Sequence, residues 1–415
     1  MAAPPRSRDS AGTRKTPDTE ERLMSSGTVR PVTLETADIL ERVDKLGPAI
    51  GAAADTIERE RRLPPDLLER LREAGVFRIA FPRAWGGPEM RLEDQIRMIE
   101  SIARHDASAG WAVQILADSG FYAGQLPDDV AREIFPTIDL ATAGAWIPPA
   151  RAVPVPGGYR LTGRWPFGSG VRNADRVLCG AFVYVDGEPV RDADGEIREH
   201  LAFLPIEQVT LHDTWHTTGL AGSGSTDYSV DDVFVPEEHL FTLRYEGREG
   251  LPPLTRSADV LALNGLGVAL GLTRHVLDDL LDLARTKVGT DGRPIREEYR
   301  VLAGYAEAEA RLQAAHAYVY EVAGEFSDTL WAGGVLTPAQ RARGVMAGVL
   351  TADLCRDAVL QALELVGSKA VFSSGPFDRP LRDLMTISRH IMHQRKSYEQ
   401  AGKLLVQGAA RHVFA

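Results

Sequence analysis

The constraint that most limits this chain is a double change in hydrophobic period. Up to about residue 138 the apolar positions recur at helical spacing. From about 141 to 243 they follow the shorter rhythm of strands, and from 260 onward helical spacing returns and persists. Strands that follow one another without intervening helices cannot build a doubly wound parallel fold; they predict an antiparallel sheet or barrel between two helical parts. The fold class is therefore α+β and mostly helical. It divides into an N-terminal helical domain (33–138), a central antiparallel β domain (139–246) and a C-terminal four-helix bundle (247–415), preceded by a disordered tail (1–32).

Local signals agree with this division. Leu63-Pro64-Pro65-Asp66 opens an amphipathic pattern through Leu67, Leu68 and Leu71, and Gly75 ends it. One long helical pattern, 93 to about 117, and a short one, 128–135, follow. In the middle stretch Gly157-Gly158, between 153–155 and 159–163, predicts a hairpin, with further strand runs over 177–185, 201–204, 209–214 and 228–236. Four long helices close the chain: 260 to about 287, 297 to about 331, a third opened by the Thr337-Pro338-Ala339-Gln340 capping box and running to about 366, and a fourth from Arg382 to about Gly408. Short connections between them predict an antiparallel bundle.

Composition excludes several functions. With 47 Lys and Arg against 58 Asp and Glu the net charge is −11, the wrong sign for nucleic acid or an anionic membrane. Two distant cysteines, Cys179 and Cys355, make no disulfide scaffold and fit a reducing cytoplasm. The best apolar run, 260–272, is interrupted by Asn264, Gly265 and Gly267 and is shorter than the roughly 20 residues a membrane span needs. The first 30 residues carry no apolar segment of a signal peptide, and Asp9, Asp18, Glu20 and Glu21 are too acidic for a transit peptide.

Several short motifs fail on context. Gly265-Leu-Gly267-Val-Ala-Leu-Gly271 is one residue too long for a dinucleotide fingerprint and has no strand before it, so it reads as small residues where two helices approach closely. Gly222-Ser223-Gly224-Ser225 lacks the lysine of a phosphate loop. His390 and His393 lie one turn apart without the rest of a zinc motif, so no metal is expected. A serine-hydrolase elbow is missing as well.

Four other segments, in order, carry a resemblance: Arg104-His105-Asp106-Ala107-Ser108-Ala109-Gly110-Trp111; 157–170, ending in Trp165-Pro166-Phe167-Gly168-Ser169-Gly170 and leading through Ala174-Asp175; Asp213-Thr214-Trp215-His216 through Gly222-Ser223-Gly224-Ser225, then Asp232-Val233-Phe234-Val235-Pro236; and Arg382-Asp383 with Ser388-Arg389-His390. Together they resemble the acyl-CoA dehydrogenase superfamily and, more closely, its oxygen-activating branch, the two-component flavin-dependent monooxygenases. The resemblance covers the chain from about Leu34 to the C-terminus. It implies reduced FAD or FMN as cofactor, O2 as co-substrate activated at the flavin 4a position, and hydroxylation of a phenol, a polyketide-like aromatic or an amine. It also implies a homotetramer built as a dimer of dimers. With no nicotinamide fingerprint in the chain, reduced flavin is expected from a separate NAD(P)H flavin reductase.

The residue types suit a flavin, a flat, mostly apolar ring with a polar rim. The resemblance places the reactive edge of the ring at 167–170. Gly168 and Gly170 allow close backbone approach, although dehydrogenases of the family usually carry a hydroxyl residue where Gly168 stands. Ser169 offers a hydroxyl or its backbone N–H. Trp165 and Phe167 fit ring contact and sheet core equally. Arg285, ending the first bundle helix, resembles an arginine that reaches the flavin phosphates of a neighbouring subunit, and a solvated helix end is the equal alternative. His390 is the catalytic candidate: its spacing from Asp383 and Thr386 puts all three on one helix face, and an imidazole can hydrogen-bond or protonate oxygen bound at a flavin near neutral pH. Arg382 and Asp383 read as an ion pair at a helix start, and His393 as a surface or interface residue. A dehydrogenase would need a carboxylate base; 388–393 has none, and Asp259 alone could be stretched to the alternative position. Two rivals therefore stand beside the oxygenase: an acyl-CoA dehydrogenase with a displaced base, and a flavin-free scaffold.

Overall fold

The structure, a computed structural model, describes Met1 and residues 34–193, 195–243, 251–289 and 291–408. Apart from Met1, the expected tail 1–32 lies outside the described residues.

Among the described residues the N-terminal part holds six helices: α1 (Leu34–Glu60), α2 (Pro65–Ala74), α3 (Leu92–Ala103), α4 (Ala107–Leu116), α5 (Ser119–Ala123) and α6 (Asp128–Ile134). Gly75 ends α2 in the left-handed region (φ +89°), donating to the carbonyls of Leu71 and Arg72. The single helix expected over 93–117 is two. The chain turns at Arg104-His105, and the Asp106 carboxylate restarts it by accepting the Ala109 N–H at 2.7 Å.

Seven strands follow among the described residues: β1 (Thr142–Val155), β2 (Gly158–Gly168), β3 (Arg176–Val185), β4 (Glu188–Pro189), β5 (Glu199–Pro205), β6 (Thr210–His212) and β7 (Thr226–Pro236). They form one sheet in the order β4-β3-β1-β2-β7-β6, with β5 also on β3. The β1–β2 hairpin closes at Val155 and Gly158, with Gly157 at φ +80°. Pairing is antiparallel except between β1 and β3, which run parallel. The reason is the route of the chain: β2 returns to the starting end of β1, and residues 169–175 then cross that end to place β3 on the far side of β1. Asn173 pins this crossing to the N-terminal part through reciprocal bonds with Leu63, 3.0 and 2.9 Å long. Aromatic packing joins the same two parts: Phe203 of β5 meets Phe135 and Tyr122, each at 5.2 Å between ring centroids.

The C-terminal part comprises α7 (Val260–Leu263), α8 (Leu266–Thr286), α9 (Tyr299–Trp331), α10 (Pro338–Val366), α11 (Asp378–Ile387) and α12 (Ser397–Gln407). The capping box forms as expected, with Thr337 and Gln340 satisfying each other's backbone. Two expected helices are broken. The first divides at Asn264-Gly265, and the fourth begins at Asp378, stops at Ile387 and resumes only at Ser397. Gly267 and Gly271 do serve helix approach: a Cβ on Gly267 would stand 2.6 Å from the Ile96 carbonyl of α3, and one on Gly271 would strike that of Glu100. Among the described residues one stretch, Val260–Thr286, is long and apolar enough to cross a membrane by composition, and 78% of its apolar window is buried inside the fold, which makes it a core helix.

Candidate active site

The crossing segment sets the site at the end of the sheet. Between Trp165↔Tyr228 and Gly168↔Thr226, β2 spends one residue more than β7, a bulge. The bulge carries Phe167 at φ +60° and turns its ring outward, leaving it 69% exposed and edge-on to Trp215 at 6.2 Å. A bulky residue in that backbone region stores strain. Gly168 has no room for a side chain, since a Cβ would lie 2.8 Å from the Tyr228 ring. Trp165 points the other way. It is fully buried, stacked on Tyr228 at 5.1 Å, and donates its indole N–H to the Gly180 carbonyl at 2.9 Å. Of the two readings open for Trp165, ring contact and sheet core, its burial and bonding favour sheet core over the cofactor contact.

Ser169, half-exposed, lies between three elements. Its backbone N–H is taken by the Phe167 carbonyl at 2.8 Å, so the hydroxyl remains for a ligand. That hydroxyl accepts the Trp111 indole N–H of α4 at 3.0 Å and touches the Ser225 hydroxyl at 2.7 Å. Ser225 continues to Ser223 at 2.8 Å, and Ser223 donates to the Leu220 carbonyl at 2.7 Å. Trp111, Ser223 and Ser225 were not among the sequence candidates. Their signals are in the sequence, Trp111 at the end of the Arg104–Trp111 segment and the serines in Gly222-Ser223-Gly224-Ser225, but neither segment shows by itself that its side chains reach Ser169.

His390 joins this group, edge-on to Trp111 at 5.1 Å between centroids. It does not extend the Asp383–Thr386 helix face: α11 has ended, and His390 is extended at ψ 142° before a short 3₁₀ turn. One side of its ring is open to solvent, while protein packed around the rest, and then His393, holds its pKa below the ordinary histidine value. The ring is therefore neutral at neutral pH. His393 is buried, not at the surface. Its Nδ1 donates to the Gly348 carbonyl at 3.1 Å, and burial lowers its pKa too.

Arg382 and Asp383 are not a pair. Arg382 bonds Asp378 at 2.9 Å, Glu58 of α1 at 2.7 Å and the Thr218 carbonyl at 2.6 Å. Asp383, only 3% exposed, accepts the Leu220 N–H at 2.6 Å and so holds Leu220 at φ +51°. Burial, then the neighbouring Asp106 carboxylate, pushes Asp383 up to about 7; burial pushes Asp106 up to about 6. Asp259 is engaged by Arg341 and Ser257, each at 2.9 Å, and stands as a structural carboxylate. Arg285 pairs with Asp282 at 3.3 Å; Asp282, but not Arg285, lines an open groove of about 550 Å³ together with Lys369 and Phe372, and none of the Ser169 group lines it.

Aromatic walls, one reachable hydroxyl and glycines without side-chain room fit a flat ring with a polar rim. Helices packed around a sheet whose end presents such a site define a flavoprotein of the acyl-CoA dehydrogenase fold. Family models agree: residues 39–124 match the acyl-CoA dehydrogenase N-terminal domain and 266–395 its C-terminal domain. Indole-3-acetate monooxygenase of Pseudomonas putida is 31% identical over 381 residues, covering 86% of this chain and 93% of that protein. The FADH(2)-dependent resorcinol hydroxylase oxygenase component of Rhizobium sp. is 30% identical, covering 67% and 70%. Among solved structures, XiaF from Streptomyces sp. in complex with FADH2 and glycerol superposes with a TM-score of 0.82 at 25% identity, covering 91% of this chain and 97% of that one. The chain belongs to the acyl-CoA dehydrogenase family and, within it, to the flavin-dependent monooxygenases.

Proposed function

We propose that the chain hydroxylates an aromatic small molecule with O2 and reduced FAD or FMN, the flavin arriving from a separate NAD(P)H-dependent reductase. A homotetramer in the cytoplasm is part of the same reading. The observation that carries it is the meeting of Trp111, Ser169 and His390 at the end of the sheet, with no carboxylate base in 388–393. A reduced flavin supplies the electrons that activate oxygen. The chain does the rest. Phe167, Trp111 and Trp215 wall the ring and exclude water. Gly168 would let backbone approach the ring, and the Ser169 hydroxyl would hold its central nitrogen. Neutral His390 would offer a hydrogen bond to oxygen at the ring and steady it for transfer. Arg285 would take the flavin phosphates of a neighbouring subunit. The same aromatic walls favour an aromatic substrate, the class that indole-3-acetate and resorcinol represent among the relatives.

Stopped-flow absorbance with reduced flavin and oxygen tests this reading. A transient spectrum distinct from both reduced and oxidised flavin, whose decay yields hydroxylated product, is expected. Reduction of bound flavin by an acyl-CoA would select the dehydrogenase instead.

A further inference from the structure

The hydroxyl row behind Ser169 has a fixed direction. Its ends are unlike: the Trp111 indole N–H can only donate, and the Leu220 carbonyl can only accept. Between them stand three hydroxyls, each with one hydrogen. An O···O approach of 2.7 Å between Ser223 and the Leu220 carbonyl needs a hydrogen between the atoms, and only Ser223 has one. Ser225 must therefore donate to Ser223, and Ser169 to Ser225, at 2.8 and 2.7 Å. Of the two lone pairs on Ser169, one accepts from Trp111. What Ser169 offers a ligand is the other lone pair and no hydrogen.

The anchor of the row is rigid. Leu220 is held in the left-handed region by the Asp383 carboxyl at its N–H, and its carbonyl also accepts the Trp215 indole N–H at 2.9 Å. Ser223 and Ser225 are buried, 1% and 3% exposed, so water does not reset their hydrogens.

We infer that this Trp111–Ser169–Ser225–Ser223–Leu220 relay is a redox-state filter: by leaving Ser169 an acceptor, it selects the reduced flavin ring. The inference rests on the proposed contact between Ser169 and the central ring nitrogen. Reduced isoalloxazine carries a hydrogen on that nitrogen and can donate it; the oxidised ring presents a lone pair there, which faces the lone pair of Ser169. Ser223 and Ser225 are positioning residues. They never touch the ring, and they decide what Ser169 can offer it. For an oxygenase supplied by diffusion this matters, because spent, oxidised flavin is the competitor that must leave.

The test measures dissociation constants of oxidised and reduced flavin, the latter anaerobically, for the wild-type chain, Ser223→Ala and Ser225→Ala, together with the midpoint potential of the bound flavin. Either substitution frees the Ser169 hydrogen: Ser223→Ala by letting Ser225 turn to Ser169, Ser225→Ala by removing the acceptor. The ratio of oxidised to reduced dissociation constants should fall about tenfold in each, the net worth of one hydrogen bond. The midpoint potential should drop by about 30 mV, that factor for a two-electron couple. Folded variants that bind flavin with an unchanged ratio would overturn the filter and leave the flavin reading standing. A wild-type chain that binds neither redox form removes both. Should one variant fail to fold, the other carries the test.

Discussion

Replacing Asp383 with asparagine tests the site from beneath. The amide in Asp383→Asn keeps an oxygen for the Leu220 N–H and nearly the same shape, so geometry is preserved while ionisation is abolished. In the native chain Asp383 is pushed from 3.8 up to about 7 by burial and by Asp106. Between about pH 4 and pH 7 the folded chain thus keeps a proton that the unfolded chain has released, so this group's contribution to stability falls as pH rises through that window and levels off above it. At roughly 1.4 kcal/mol for each tenfold change in proton concentration across that window, the ceiling is near 4 kcal/mol. Coupling to Asp106 and relaxation of the neighbourhood bring the expected figure to about 2–3 kcal/mol. Urea unfolding of the flavin-free chain and of Asp383→Asn at pH 5, 6, 7 and 8 reads it. The variant should gain on the wild type as pH rises to about 7, after which the gap should hold constant. A gap that is independent of pH, or that narrows with rising pH, would refute the argument by showing a carboxylate already ionised and compensated by Arg382.

His390→Ala should leave fold and flavin affinity nearly intact and cut productive turnover by about 10²-fold, with more hydrogen peroxide released per flavin consumed; product and peroxide are counted together. Because His390 is neutral well above its lowered pKa, coupling in the native enzyme should be flat from pH 6.5 to 8. Phe167→Ala should leave thermal stability about unchanged, since the ring is exposed, while weakening flavin binding about tenfold by titration. Trp165→Phe should do the reverse, lowering stability by about 1–3 kcal/mol through the lost Gly180 bond and sparing flavin affinity.

What the sequence disclosed was what local pattern determines. The helix–strand–helix order, the hairpin at Gly157-Gly158 and the Thr337 capping box each depend on residues within a few positions of one another. The helix α1 escaped notice because Gly47 and Pro48 interrupt its middle, although Ile39, Val43, Ile50 and Ile57 line one buried face. The break at 104–106 is made by a local cap, Asp106 on the Ala109 N–H, while at 264–265 the chain passes so close to Gln114 that a Cβ on Gly265 would lie 2.7 Å from its amide oxygen. His393 is buried because a carbonyl on α10 receives it, a partner 45 residues away. The site was half legible. Phe167, Ser169 and His390 were proposed through the resemblance, whereas Ser223 and Ser225 come into play only when β7 pairs with β2 and brings residue 225 to residue 169.

The crossing of residues 169–175 over the end of β1 also orders events in time. Hairpin β1–β2 needs only neighbouring residues and can close within microseconds of collapse. Ser169 has no defined place until β3 docks on the other side of β1, the loop to Ser225 is closed and α4 has delivered Trp111, contacts that span 56 and 58 residues. Such distant closures come late because their entropy is lost before their contacts form. The pocket should thus mature after the hairpin that leads into it. In refolding experiments, recovery of flavin binding should trail recovery of helical circular dichroism, and a nascent chain released before α4, β3 and β7 have joined should hold its secondary structure yet be unable to capture flavin.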